Sequence, residues 1–211
     1  MQITRVVYGR STLPESSILP GGSREVRCPI DFAIFLVCGQ GRKILVDSGC
    51  ETMPGFVMED FIGPVEALAR LGVQAEEITD VIITHAHHDH MASVARFPNA
   101  RVYLQSLEYE KGKKYLTGDQ PVQLFEEALE LLPGVKIVKI GGHTKGSCVV
   151  EVGNTVLCGD ECYSMKNLIH RIPSPSTSCP ENSRAFIDRY AQGWITMLCH
   201  DPGDRPESSG R

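Results

Sequence analysis

Thr84-His85-Ala86-His87-His88-Asp89-His90 sets five metal-capable side chains within six residues, directly behind the apolar run Val81-Ile82-Ile83. Such a cluster is costly to bury unless something binds it. Imidazole and carboxylate together suit zinc or another borderline first-row metal. Side chains alternate along an extended segment, so His85 and His87 face the same side, and a turn after the strand lets Asp89 and His90 swing toward a neighbouring position. His88 then faces away, as an exposed or packing histidine rather than a ligand. Two imidazoles leave an ion incompletely coordinated, so further ligands must come from elsewhere in the chain.

Histidine is scarce, which narrows the search: of seven, only His143, His170 and His200 lie outside this stretch. His143 sits in the glycine-flanked Gly141-Gly142-His143-Thr144-Lys145-Gly146, behind the apolar run 135–140. Small residues there let the backbone approach an ion. Asp160 ends Thr155-Val156-Leu157-Cys158-Gly159-Asp160, and His200 ends Trp194-Ile195-Thr196-Met197-Leu198-Cys199-His200. Each nominee thus follows a β-prone run, as expected of a layered α/β protein whose active site gathers at one edge of its sheets. His170 follows no such strand and reads as a surface residue. Seven ligand-grade residues are too many for one four-coordinate ion, which predicts about two ions per chain.

In this order the motifs resemble the metallo-β-lactamase superfamily. The resemblance implies an α+β fold, a single-domain four-layer αβ/βα sandwich, with a dinuclear site between its two sheets. It also implies a ligand set: His85, His87 and His143 for one metal, Asp89, His90 and His200 for the other, with Asp160 bridging. Asp47, in Ile44-Leu45-Val46-Asp47-Ser48-Gly49, resembles the family's early strand-end aspartate that orients a ligand histidine. Within the superfamily, the chain is most similar to the N-acyl homoserine lactonases, on Gly159-Asp160-Glu161-Cys162-Tyr163 and Leu104-Gln105-Ser106-Leu107-Glu108-Tyr109-Glu110. It departs from that group in a shorter 51–64 segment and in Lys145, where proline is usual.

The resemblance implies two divalent ions, zinc first, with iron, manganese or cobalt as alternatives, and a metal-bridged hydroxide that opens a lactone ring. Asp89 would carry the proton to the leaving group. Tyr163 would donate a hydrogen bond to the carbonyl oxygen, or else serve as a buried structural tyrosine. The alternative is a glyoxalase II-like thioesterase, disfavoured because those proteins carry a further C-terminal region and here little chain follows His200. A β-lactamase would be expected to be exported, and diiron redox relatives place glutamate where this chain has His87. Met53, Phe56, Met58 and Phe61 fit either an acyl-chain wall or a core-facing segment. Lys145 and Glu161 flank the site in sequence, and as charged loop residues they are expected mainly to face water.

The 211 residues, 42% of them hydrophobic, suffice for a sizeable core without staples. A formal charge of −5, with no basic group longer than Lys111-Gly112-Lys113-Lys114, argues against nucleic acid as partner and leaves a small-molecule substrate. No apolar segment reaches membrane-spanning length, and Met1-Gln2-Ile3-Thr4-Arg5 opens no signal stretch, so the expected location is cytoplasmic and the eight cysteines are expected reduced. Cys38, Cys148, Cys158 and Cys199 read as small core hydrophobes within strands.

Strands are predicted at 3–7, 32–37, 43–46, 81–84 and 101–104, and three more ending at Ile140, Val152 and Cys158. Helices are predicted at 64–70, from His90, at 106–111, at 124–131 and after Asn182, with a last strand delivering His200. Gly153 and Asn154 make a hairpin turn. Residues 11–30 and 164–180 read as loops. Residues 1–200 form the hydrolase domain, and 201–211 a polar tail.

Overall fold

A computed structural model describes residues 1–203. Strand β2 (Arg27–Gly39) is apolar on both faces: Ile34 and Leu36 point one way, Phe35 and Val37 the other, and all four are buried. Because successive side chains alternate across a strand, such a segment is stable only with packing on both sides. It lies inside a six-stranded sheet that also holds β1 (Gln2–Pro14), β3 (Arg42–Val46), β4 (Asp80–Ile83), β5 (Arg101–Gln105) and β6 (Val122–Phe125), in the order β1-β2-β3-β4-β5-β6. The first three strands are antiparallel, and β3 through β6 run parallel.

The second sheet holds β7 (Ala128–Leu132), β8 (Val135–Lys139), β9 (Cys148–Val152), β10 (Thr155–Cys158) and β11 (Ile195–Leu198), in the order β11-β10-β9-β8-β7, with only the β10/β11 pair parallel. Three apolar clusters define the layers. Phe35, Val37, Ile44, Val46 and Ile82 meet Val135, Ile137, Val150 and Leu157 between the sheets. The outer face of the first sheet packs on Ala67 and Leu68 of helix α1 (Pro64–Ala69) and on Met91 of α2 (His88–Met91). That of the second packs on Phe186, Ile187 and Tyr190 of α4 (Pro180–Tyr190). Helix, sheet, sheet, helix is the expected four-layer α+β sandwich. Full burial of each such apolar side chain contributes about 1.5–3 kcal/mol, so the layers hold by this area rather than by staples.

Three expectations are corrected. The predicted helix over 124–131 is instead β6 and β7: the chain leaves one sheet at Phe125 and enters the other at Ala128, and pairing with β5 and β8 overrides the helical spacing of its leucines. The predicted loop over 11–30 is strand at both ends, because β1 and β2 remain paired from Gln2↔Cys38 out to Pro14↔Arg27. Within 164–180 lies a helix, α3 (Met165–His170), whose Ser164 caps it by accepting from the Lys166 amide. The polar tail falls mostly on residues 204–211, outside the described residues.

Registry brings the site to one edge. Cys158 pairs with Leu198 in the parallel β10/β11 ladder, so Asp160 and His200, each two residues further on, emerge side by side. Across the sandwich, the Cys148 amide donates to Thr84 O at 2.9 Å and joins the two sheets beside the His85 loop. Gly159 permits this approach, since a Cβ there would stand 2.4 Å from Thr84 Oγ1.

Candidate metal centre

The end of β4 delivers His85 and His87, α2 carries Asp89 and His90, the loop after β8 presents His143, and β10 and β11 bring Asp160 and His200. His87 Nδ1 lies 3.0 Å from both His85 Nε2 and His143 Nε2. Asp160 Oδ2 stands 3.7 Å from His85 Nε2 and 3.4 Å from His143 Nε2. On the other side of the same carboxylate, Oδ1 lies 2.9 Å from His90 Nε2 and 3.1 Å from His200 Nε2. Asp89 Oδ2 completes that group at 3.5 Å from each of these two nitrogens. All seven sequence-predicted ligands are thus gathered into two adjacent sets that share Asp160. Cys199 joins the second set, its Sγ within 4.8 Å of the donor atoms of His90, Asp160 and His200.

Divalent ions fit these residues. Donors about 2.0–2.1 Å from a tetrahedral zinc stand roughly 3.3–3.5 Å apart, close to the spacings in both sets. In the first set the His143 Nδ1 proton goes to Ser176 O, so His143 Nε2 turns a lone pair toward His87 Nδ1, and in the second the buried His90 Nε2 faces Asp160 Oδ1 at 2.9 Å. Burial pushes His85 well below the ordinary histidine range, with repulsion from His90 adding to it, and burial with His143 also lowers His87. Both rings are therefore neutral near pH 7, with lone pairs free for a metal. Burial opposes charge on His90 too, but Asp160, Asp89 and Asp47 outweigh it and hold that imidazole well above its usual range. Asp160 behaves as the converse: burial favours its neutral form, yet the surrounding imidazoles, His90 first, keep it well below the usual carboxylate range.

Other residues fix the ligands in place. Asp47 stands at φ +64°, a left-handed position that aspartate tolerates better than most residues. From there Oδ2 accepts from His90 Nδ1 at 2.7 Å, while Thr84 gives its amide to Oδ1 at 2.7 Å and its hydroxyl to Oδ2 at 2.9 Å. This geometry leaves His90 Nε2 facing the site. His200 Nδ1 is held by Asp31 O at 2.8 Å, and His143 Nδ1 by Ser176 O at 2.7 Å. Tyr8 donates to Asp89 O at 2.8 Å.

Three positioning residues escaped the sequence reading. Glu108, buried, accepts from Ala86 N at 3.0 Å, Gly146 N at 3.0 Å and Thr144 Oγ1 at 2.7 Å, tying the His85 and His143 loops together. Glu161 was expected to face water; instead it is buried and accepts from the amides of Gly142 and His143 and from the Ser147 hydroxyl. Gly142 gives it room, since a Cβ there would stand 2.3 Å from Glu161 Oε2. Arg5 donates to Leu198 O at 2.8 Å, Cys199 O at 2.9 Å and Asp201 O at 2.8 Å while paired with Asp31 at 2.8 Å, so it anchors the strand end that carries His200. The neighbouring sequence does not mark such roles, because each works through partners distant in sequence.

The site floors a cavity of about 460 Å³, with His87, Asp89, Asp160, His200 and Tyr163 at its base and Leu13, Ile30, Phe32, Met53 and Phe56 along an apolar wall. The four residues read as either wall or core divide: Met53 and Phe56 face the cavity, while Met58 and Phe61 pack over Gly9 of β1. Tyr163 donates to Asp160 Oδ2 at 2.7 Å and stacks on the His200 ring at 5.3 Å. Burial, then Asp160, raises it well above the ordinary tyrosine range, so it remains a donor. His88 is no ligand: its Nε2 bonds Thr52 O at 2.8 Å. Lys145 and His170 are exposed. Among the described residues, no helix is long and apolar enough to cross a membrane.

Comparison with known proteins agrees with this architecture. An N-acyl homoserine lactonase of Bacillus sp. is 28% identical over 135 residues, covering 58% of this chain and 53% of that protein, so the chain spans about half the length of this curated relative. A solved quorum-quenching N-acyl homoserine lactone hydrolase superposes with a TM-score of 0.83 at 22% identity, covering 99% of this chain and 95% of the other. Another, with N-hexanoyl-L-homoserine bound at its catalytic metal centre, gives a TM-score of 0.82 at 21% identity over 95% and 93% of the two chains. At these identities the two structures speak for the fold. The family model of the metallo-beta-lactamase superfamily matches residues 33–161, more than half of the sequence, and the protein belongs to that superfamily.

Proposed function

We propose that this protein is a dinuclear metal-dependent hydrolase that opens a cyclic carboxylic ester, with N-acyl homoserine lactones as the first substrate class. The observation that carries the proposal is a shared carboxylate, Asp160, between two sets of converging donors at the floor of a cavity with one apolar wall. The likeness to lactonases supports the substrate class. His85, His87, His143 and Asp160 would hold one ion, and Asp89, His90, His200 and Asp160 the other, with zinc favoured by the imidazole-rich set. Bound there, two divalent ions supply a hydroxide nucleophile near neutral pH and electrophilic help to the carbonyl.

The chain's own residues do the rest. Leu13, Ile30, Phe32, Met53 and Phe56 offer apolar surface for an acyl chain and keep water from it. Asp89 is half-buried on the cavity floor, where its carboxylate is placed to take a proton and pass it to the leaving oxygen. The Tyr163 hydroxyl, now donated to Asp160, turns within the cavity to donate to a carbonyl oxygen as charge develops there.

Elemental analysis and a substrate panel test this reading. The expected result is about two ions per chain, lactone ring opening abolished by a chelator and restored by zinc, and a Tyr163→Phe variant slowed in kcat by roughly 10 to 1,000-fold at unchanged ion content. Turnover of acyl thioesters with no lactone opening, and indifference to Tyr163→Phe, would place the chain with the thioesterases instead. One ion per chain, unaltered in His200→Ala, would refute the dinuclear assignment.

A further inference from the structure

We infer that Cys199 is a thiolate donor of the second subsite, making that subsite one for a thiophilic divalent ion. This rests on the metal-hydrolase reading above. Cys199 directly follows Leu198, the last residue of β11, one residue before His200, and it is fully buried. It belongs to the apolar cluster between the sheets, yet its Sγ stands 3.8 Å from Asp160 Oδ1 and within 4.8 Å of the donor nitrogens of His90 and His200. Cys199 is then a fifth protein donor to that ion, and sulfur at about 2.3 Å and oxygen at about 2.0 Å from one five-coordinate zinc lie roughly 3.0–3.7 Å apart, near the spacing found.

The placement of His90 agrees with this. His90 is 2% exposed, and its Nε2, 2.9 Å from Asp160 Oδ1, is aimed into the group that contains the Cys199 sulfur. The strand end cannot swing freely to move the thiol aside, because Arg5 holds the carbonyls of Leu198, Cys199 and Asp201 together. Neighbouring thiols are turned elsewhere: Cys162 toward Ser164 O, and Cys50 toward Tyr8 and Met53.

The two subsites would then differ in kind. His85, His87, His143 and Asp160 form a nitrogen and oxygen set, whereas a sulfur donor in the second set favours zinc or cobalt over magnesium or manganese. On ligation the Cys199 S–H bond breaks, its proton leaves to solvent, and the sulfur lone pair forms the bond to the ion; nothing is oxidised or reduced.

X-ray absorption on the wild-type protein carrying two zinc ions tests the assignment without any mutation. The expected shell contains one sulfur per two zinc ions at about 2.3 Å. With cobalt in place of zinc, the wild type should show a near-ultraviolet sulfur-to-cobalt charge-transfer band that Cys199→Ser loses and the control Cys179→Ser keeps. Two ions bound in a purely nitrogen and oxygen shell, or a band that survives in Cys199→Ser, overturns the inference and leaves the hydrolase reading standing. A chain that takes up no second ion overturns both.

Discussion

The two halves of the proposed metal centre are held by different carboxylate contacts. Around His85, His87 and His143, carboxylates grip backbone: Glu108 takes the amides of Ala86 and Gly146, and Glu161 those of Gly142 and His143. Around His90 the carboxylate grips the ring itself, through Asp47 at His90 Nδ1, while the rings of His143 and His200 are each held by a backbone carbonyl, Ser176 O and Asp31 O. In its carboxylate supports the first subsite is therefore a matter of loop shape, and the second of side-chain orientation. Damage to loop shape should cost stability and ion binding together, whereas damage to orientation should alter one ion and leave the fold nearly untouched.

Asp160 belongs to both halves, so its loss should have the largest effect. Asp160→Asn keeps the shape but removes the negative charge that faces four imidazoles. Ion content should fall from about two to below one per chain, and activity by at least roughly 10² to 10³-fold. Elemental analysis beside a hydrolysis assay checks both, and two ions retained at full occupancy would show that the two sets are independent of this carboxylate.

Glu108→Ala probes the loop-shaped half alone. It leaves the Ala86 and Gly146 amides and the Thr144 hydroxyl without their acceptor, at about 1–3 kcal/mol for each buried donor left unpaired, or about 3 kcal/mol or more in all. Urea unfolding should show that loss, and the ion held by His85, His87 and His143 should be released more readily. Unchanged stability with weakened second-ion binding would reverse the contrast between the two halves.

What could be read from sequence follows the same division. The proposed ligands announce themselves because each stands just past a β-prone run, so local spacing alone puts His85, His143, Asp160 and His200 at strand ends, and the αβ/βα frame makes those ends converge. Asp47 was readable for the same reason. Glu108, Glu161 and Arg5 were not, because a charged loop residue looks solvent-facing until the fold brings distant amides or carbonyls to it. The 124–131 segment misled through its own periodicity: Leu124, Ala128, Leu129 and Leu132 space like a helix face. Only the crossing between sheets at Glu126 and Glu127, whose carbonyls accept from Gln105 and Lys139, makes them strand.

Asp47→Asn tests the orientation-held half. The amide keeps Oδ1 for the Thr84 backbone but turns a donor toward His90 Nδ1, so the ring moves its proton to Nε2 and loses the lone pair that faces the ion. Second-ion affinity should fall by roughly 10 to 100-fold, with the first ion and the melting temperature little changed. Titration with a competing chelator resolves the two affinities; equal weakening of both ions would mean that Asp47 acts on the fold.

The smallest effect should come from Phe56 on the cavity wall, one ring removed from the second subsite. Phe56 packs edge-on against Phe32 at 5.6 Å, and Phe32 in turn lies 5.3 Å from the His200 ring. Phe56→Ala removes apolar surface that an acyl chain would cover, a loss of about 1 kcal/mol, or roughly fivefold in KM. The sign of the dependence on chain length discriminates. If Phe56 is a wall, KM should rise for long acyl chains and stay level for short ones, with kcat and ion content steady. A uniform fall in kcat across all chain lengths would mean instead that Phe56 acts through Phe32 on the setting of His200, which would bring the wall into the orientation-held half of the centre.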